Sequence, residues 1–380
     1  MRVLTLTPFY PTATDDAEGC FIAEPLRELE QFGVHSCVVA VQPLHRTRVG
    51  SNAIAPVASW VRYPCIPGGI GLASAGTLLY ASLISKVRKL HRYQPIKLIH
   101  AHAALPCGHA AALLSRELKI PYVITVHGLD AFFDKQVRGY AGRWCKRVTQ
   151  FVYRSAARVI CISDKVAENV AERDKAPVNP TVIYNGVDAR MFAPPSAASP
   201  SRSILSVGNL IPIKGHELLL RALAAVLPQY PDVSVDMIGD GPEYQRLTRL
   251  ASECNLTDRV RFLGRQSREQ VAEAMRRCMM FALPSRYEGL GCVYLEAMST
   301  EKPVIACRGQ GIDGIIHHGR NGWLVDPGSV QELITAFSTL LQNLQLRRQI
   351  GEAARRTILN GLTTTHQADR LAALYRECVA

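Results

Sequence analysis

Residues Pro284 to Ile305 read PSRYEGLGCVYLEAMSTEKPVI. The stretch leaves the apolar run MMFALP (279–284), crosses a loop holding Gly289 and Gly291, and turns into helix formers near Gly291. It ends in a second apolar run, PVIA (303–306). Strand, glycine-bearing loop, helix and strand in succession imply neighbouring parallel strands joined by a crossover helix. Where such a loop feeds a helix, unpaired backbone N–H groups and the positive end of the helix dipole suit an anion such as a pyrophosphate. The two glycines allow a ligand to approach the backbone closely.

The same alternation runs outward in both directions. Upstream and downstream of this unit lie ILSVG (204–208), VSVDMIG (233–239), RVRFLG (259–264) and WLV (323–325), with helical stretches between them. In the first half, VLTLT (3–7), VHSCVVAV (34–41), KLIHAH (97–102), YVITVHG (122–128), RVICIS (158–163) and TVIY (181–184) are separated in the same way. Helical spacing or helix formers mark Leu26 to Gln31, Gly108 to Leu118 and Asp164 to Glu172. Between the halves, MFAPPSAASPSR holds Pro194, Pro195 and Pro200 among small polar residues, the composition of a linker. The reading is therefore α/β: a doubly wound domain over 1–192, a linker over 193–202, and a second doubly wound domain over 203–362. A C-terminal helix over 363–380 presents Leu371, Leu374 and Tyr375 on one face and is expected to pack back on the first domain. Two such domains would face each other across a cleft at the carboxyl ends of their strands, where ligands of open α/β sheets bind.

Composition narrows the class. With 380 residues, 48% hydrophobic and 20% charged, the chain is globular and long enough for two cores. Its eleven cysteines lie at least 14 positions apart, which excludes CxxC metal or redox pairs and fits reduced thiols in a cytoplasm. The beginning of the chain, MRVLTLTPFYP, lacks the apolar core of a secretory signal. The formal charge of +12 is concentrated early: from Gln31 to Arg116 there are nine Lys and Arg and no acid, with Lys86, Arg88, Lys89 and Arg92 packed together. Nucleic acid and an anionic membrane surface are the two partners such a face suits, and a merely solvated face is the third reading. Gly68 to Ser85 is uncharged and runs straight into the cluster. Its many small residues argue against a membrane span and favour a helix lying in a membrane interface, with a buried packing helix as the competing reading.

Two acids flank the glycine loop, Glu288 before the helix and Glu296 within it. Eight helical positions would separate them by roughly 12 Å, beyond the roughly 5 to 9.5 Å of paired hydrolytic carboxylates. They suit separate contacts along one extended ligand, and a helix cap or a solvated charge is the structural alternative for each. His127 stands at the end of a buried-type strand before Gly128. His100, His102 and His109 could suggest a metal site, but the carboxylate companions of such sites are missing nearby.

EGLGCVYLE (288–296) resembles the EX7E signature of the retaining family-four glycosyltransferases, whose fold is GT-B. The resemblance continues in VGNLIPIKGH (207–216), IGDGPE (238–243), HHGRNGWLVDP (317–327), VIYNGVD (182–188), TVHGLD (125–130) and ISDKV (162–166), nearly the length of the chain. The family precedent implies a nucleotide-sugar donor, UDP-sugar first and GDP-mannose second. Glu288 would contact the transferred sugar and Glu296 the ribose, with backbone amides of Gly289, Leu290 and Gly291 near the donor. Lys214 would meet the leaving pyrophosphate, His127 the donor sugar, and Gly19 the donor phosphate or the acceptor. Asn209 stands where the family often has arginine, Glu301 where it has glycine, and GQGIDGII (309–316) departs from its usual acidic stretch.

No DxD motif is suitably placed, so neither metal nor other cofactor is expected. The resemblance implies transfer of a hexosyl group with retention to a glycolipid or lipid-linked oligosaccharide in polysaccharide biosynthesis, by an enzyme peripheral to the inner face of the plasma membrane. Nucleic acid is not an expected partner. An epimerase of the same fold and a non-enzymatic binding module are the competing functions.

Overall fold

The computed structural model describes residues 1–46, 56–67, 69–128, 137, 139–173, 179–196 and 201–380. Gly68, Leu129, Asp130 and linker positions 197–200, Pro200 among them, lie outside the described residues. The chain forms two compact units, one from Met1–Asn185 with Thr364–Ala380, the other from Gly186–Thr363.

The first unit is built on a seven-stranded sheet: β1 (Arg2–Thr7), β2 (His35–Pro43), β3 (Ser59–Tyr63), β4 (Leu98–His102), β5 (Tyr122–Val126), β6 (Arg158–Cys161) and β7 (Thr181–Val182). Its order is β3-β2-β1-β4-β5-β6-β7 and every pairing is parallel. β1, β4 and β5 are buried almost throughout, as strands covered on both faces must be. The helices between them are α1 (Cys20–Glu28), α2 (Gly69–Tyr93), α3 (His109–Leu118), α4 (Gly139–Ser155) and α5 (Asp164–Arg173). The C-terminal helix Thr364–Val379 belongs to this unit, because Ala368, Leu371, Leu374 and Tyr375 share one core with Val3, Ile22, Leu26 and Val123.

α2 corrects one expectation. Ala75, Leu79, Leu83 and Val87, four residues apart, are wholly buried. A Cβ on Gly76 would lie 2.5 Å from the side chain of His109, so the glycine allows α2 and α3 to close on each other. The uncharged stretch up to Ser85 is thus a packing helix and not one that offers an apolar face to a membrane interface. Among the described residues no helix is long and apolar enough to cross a membrane.

The second unit carries six parallel strands, β8 (Ser203–Val207), β9 (Ser234–Ile238), β10 (Val260–Phe262), β11 (Met280–Ala282), β12 (Val304–Cys307) and β13 (Trp323–Val325), in the order β10-β9-β8-β11-β12-β13. Helices α6 (His216–Val226), α7 (Tyr244–Glu253), α8 (Arg268–Arg277), α9 (Cys292–Ser299), α10 (Val330–Gln342) and α11 (Leu344–Leu359) cover it. Local chemistry sets their starts. Ser267 and Gln270 form a capping box on α8, and the side chains of Ser329 and Asn343 accept from the first turns of α10 and α11.

The boundary between units falls at Gly186, not after residue 192. Val187 N–H bonds Leu362 O at 2.9 Å, and Arg276 donates to Met191 O at 3.0 Å. Arg355 donates to Phe192 O at 3.1 Å. Buried Phe192 also lies 4.8 Å beneath the Arg268 guanidinium, so this segment is held by the second unit before the linker begins.

Candidate functional site

Both sheets reverse strand order beside their first strand, and ligands of such sheets bind outside the carboxyl ends at that reversal. In the second unit the reversal lies between β8 and β11. The loop after β8 carries Asn209 and Lys214, and the loop after β11 carries Glu288 to Gly291. Arg286 N–H bonds Ile213 O at 2.8 Å. A Cβ on Gly215, whose φ is 73°, would meet Pro284 O at 2.2 Å, so only glycine permits this approach of the two loops. The result is an ion pair, Lys214 Nζ donating to Glu288 Oε2 at 2.5 Å, with both side chains less than one-fifth exposed.

Gly291 opens α9 with φ 77°. A Cβ there would meet the Tyr294 ring at 2.6 Å and Glu288 Cγ at 2.8 Å. Leu290 is buried, whereas Gly289 and Gly291 are half-exposed and Asn209 is exposed. Glu296 does not face solvent: it is 3% exposed, and Arg268 donates to its Oε1 from α8. The two acids of the loop therefore answer to different cations, Glu288 to Lys214 and Glu296 to Arg268.

Sequence reading missed Arg268 and Gln310. A partner 28 residues away leaves no local trace, but the unusual 309–316 stretch marked where to look for the second. Gln310 Oε1 accepts from Glu288 N–H at 3.0 Å, and Gly311 N–H bonds Glu288 O at 3.0 Å. A Cβ on Gly311 would fall 1.8 Å from Gly289 O. The departure from the family pattern is thus a brace on the Glu288 loop. Glu301 stands at φ 59°, a left-handed conformation that suits glycine.

In the first unit the reversal lies between β1 and β4. Gly19, buried with φ 73°, packs on the loop after β1, where a Cβ would come within 2.6 Å of Phe9 C and Tyr10 N. His102 ends β4 and His127 follows β5; His102 Nδ1 and His127 Nε2 are hydrogen-bonded at 3.0 Å, one ring donating and the other accepting. The rings of Phe9 and Phe21 lie 6.1 and 5.0 Å from the His127 ring. His100 bonds Tyr375 Oη at 2.6 Å and Thr125 Oγ1 at 2.7 Å, tying the C-terminal helix to the sheet. Burial pushes His100 and His127 down to about 3 and His102 well below its ordinary value, so all three are neutral imidazoles near pH 7. Among the described residues no three His, Cys, Asp or Glu side chains are grouped to hold a metal ion, and His109 instead packs against Phe151.

Lys214, Glu288, Gly289, Leu290, Gly291, Glu296 and Asn209 therefore belong to the second unit, and His127 and Gly19 to the first. The model of glycosyl transferases group 1 matches residues 189–357, and that of glycosyltransferase family 4 matches residues 21–190. An uncharacterized glycosyltransferase of Methanocaldococcus jannaschii is 34% identical over 257 residues, 68% of this chain and 69% of that one. Sucrose-phosphate synthase from Thermosynechococcus elongatus is similar in structure with a TM-score of 0.79 at 21% identity, covering 99% of both chains. Anabaena HepE in complex with UDP-glucose is similar with a TM-score of 0.76 at 21% identity, covering 99% of this chain and 100% of that one. With two parallel-sheet Rossmann-like units of the GT-B type and a matching sequence over both, the chain belongs to the family-four glycosyltransferases, which transfer a sugar from a nucleotide sugar.

Proposed function

We propose that the chain transfers a hexosyl group, with retention of anomeric configuration, to a glycolipid or lipid-linked oligosaccharide in polysaccharide biosynthesis. The observation that carries the reading is the Lys214–Glu288 pair at the sheet's reversal point beside the start of α9. A departing nucleoside diphosphate gains negative charge, and a fixed ammonium beside a helix start stabilises that charge as it develops. On donor binding Lys214 turns from Glu288 to the phosphates, which frees the Glu288 carboxylate for the hexose hydroxyls. Asn209 and the backbone of Gly289, Leu290 and Gly291 hold the donor, and Glu296, oriented by Arg268, takes the ribose with its second oxygen. In the first unit, neutral His127 is a hydrogen-bond donor suited to a sugar hydroxyl, and Gly19 leaves room for phosphate or acceptor. No metal or cofactor has a part in this scheme.

UDP-glucose is bound in the HepE complex of the same fold, so UDP-sugars come first in the test and GDP-mannose second. The acceptor is held at an anionic membrane surface, with the enzyme peripheral on its cytoplasmic side; nucleic acid is not a partner. The experiment is a panel of nucleotide sugars read first by thermal shift, since bound ligand stabilises the native state, and then by mass spectrometry and NMR of the products. An inverted anomeric centre in the product would refute retention, and turnover unaffected by Glu288→Gln would refute the site.

A further inference from the structure

The outer face of α4 takes no part in this reaction. Tyr140, Trp144, Arg147, Phe151 and Arg154 recur every three or four residues and share one side of the helix, while Gly142, Cys145, Val148 and Val152 form the buried side. Tyr140, Trp144 and Phe151 are 86%, 53% and 48% exposed. Arg143, Lys146, Arg147 and Arg154 are exposed around them, and the sequence holds no acid from Gly139 to Ser163. Two of the rings are oriented rather than loose: Trp144 donates its indole N–H to Ala73 O at 3.2 Å, and the Arg143 guanidinium lies 4.4 Å from the centre of the Tyr140 ring. Scattered apolar residues are ordinary on a surface, but three large aromatics along three turns of one helix, whose own charged residues are all cations, are not.

We propose that this face of α4 docks on an anionic lipid bilayer, its rings at headgroup depth and Arg143, Lys146 and Arg147 on lipid phosphates. Tyr and Trp favour the membrane interface because each joins an apolar body to a polar tip, and Lys and Arg near an anionic surface are attracted to it. The α2 cluster is a separate patch: Lys89 lies 16 residues beyond Ala73, roughly 24 Å along the helix. There Arg88 is already paired with Glu117. The inference deepens the proposed membrane-held acceptor, and vesicles without acceptor test it independently of that reading.

The experiment is cosedimentation of the full chain with vesicles of phosphatidylcholine and phosphatidylglycerol, against phosphatidylcholine alone. Salt-sensitive binding to the mixed vesicles is expected. Tyr140→Ala/Trp144→Ala/Phe151→Ala and Arg143→Gln/Lys146→Gln/Arg147→Gln should each weaken it about ten-fold or more. Lys86→Gln/Lys89→Gln/Arg92→Gln should weaken it less. Because truncating Trp144 also removes its bond to α2, a second measurement keeps the native ring: in a Trp60→Phe/Trp323→Phe background, Trp144 fluorescence should be quenched by brominated lipid. Equal binding to neutral vesicles, absence of quenching, or α4 variants that lose single-stranded nucleic acid but keep vesicles would overturn the proposal.

Discussion

The two reversal points of the molecule are built from opposite electrostatics. The second unit sets formal charges in pairs, Lys214 on Glu288 and Arg268 on Glu296. The first unit sets His100, His102 and His127 close together and keeps them neutral by burying them. A loop that meets a diphosphate needs a charge already in place, whereas a buried imidazole that hydrogen-bonds a sugar serves better uncharged. The contrast also separates two kinds of vulnerability, loss of a charge and gain of one.

The largest effect should come from removing a charge beside the proposed leaving group. Lys214→Ala is expected to lower the transfer rate about 10²- to 10³-fold, and initial rates at saturating donor would check it. A loss confined to KM would break the contrast, since the cation would then only bind donor. Next comes the buried pair. Arg268→Met leaves Glu296 buried without its cation and should cost about 3 to 5 kcal/mol in urea unfolding. Adding Glu296→Gln should recover most of that loss, and equal instability of the double variant would show that Arg268 matters by its packing on Phe192 instead.

The first unit should fail on acidification. Unfolded histidine titrates near 6.5, while folded His100 and His127 titrate at about 3, so between these values the unfolded chain binds more protons and stability falls with pH. Above about pH 7.5 the histidines contribute no slope. Between pH 6 and 4 each contributes roughly 1 kcal/mol per pH unit, and urea midpoints across that window should flatten in His100→Gln. An unchanged slope would remove the histidines from the acid response. A smaller effect is expected at Gln310→Ala, which frees the Glu288 amide and should cost about ten-fold in kcat/KM with little change in stability. The smallest is Glu301→Gly, which relieves a left-handed residue and should stabilise the second unit by about 1 kcal/mol or less.

Much of this was legible in the chain. Runs such as ILSVG (204–208) and YVITVHG (122–128) are apolar on both faces, and only a covered parallel sheet accounts for many of them separated by helices. β3 was not legible, because SWVRY is a short strand that pairs with β2 at the edge of the sheet among the described residues. α2 was misjudged and α4 was not read at all, for one reason. The uncharged first part of α2 looked like an interface helix but turns Ala75, Leu79 and Leu83 inward, while α4 buries Gly142, Cys145 and Tyr153 and leaves Tyr140, Trp144 and Phe151 outside. Composition counts side chains; only packing says which way they point.

The sequence by itself determined the strand and helix alternation, the glycine loop before α9 and the resemblance carried by Glu288, Glu296 and Lys214, since periodicity and turn chemistry are local. Tertiary structure decided which charge meets which. Lys214 and Glu288 are 74 residues apart, Arg268 and Glu296 28, His100 and Tyr375 275. Their encounters depend on strand order in the sheets and on where the C-terminal helix docks, and no local preference encodes either.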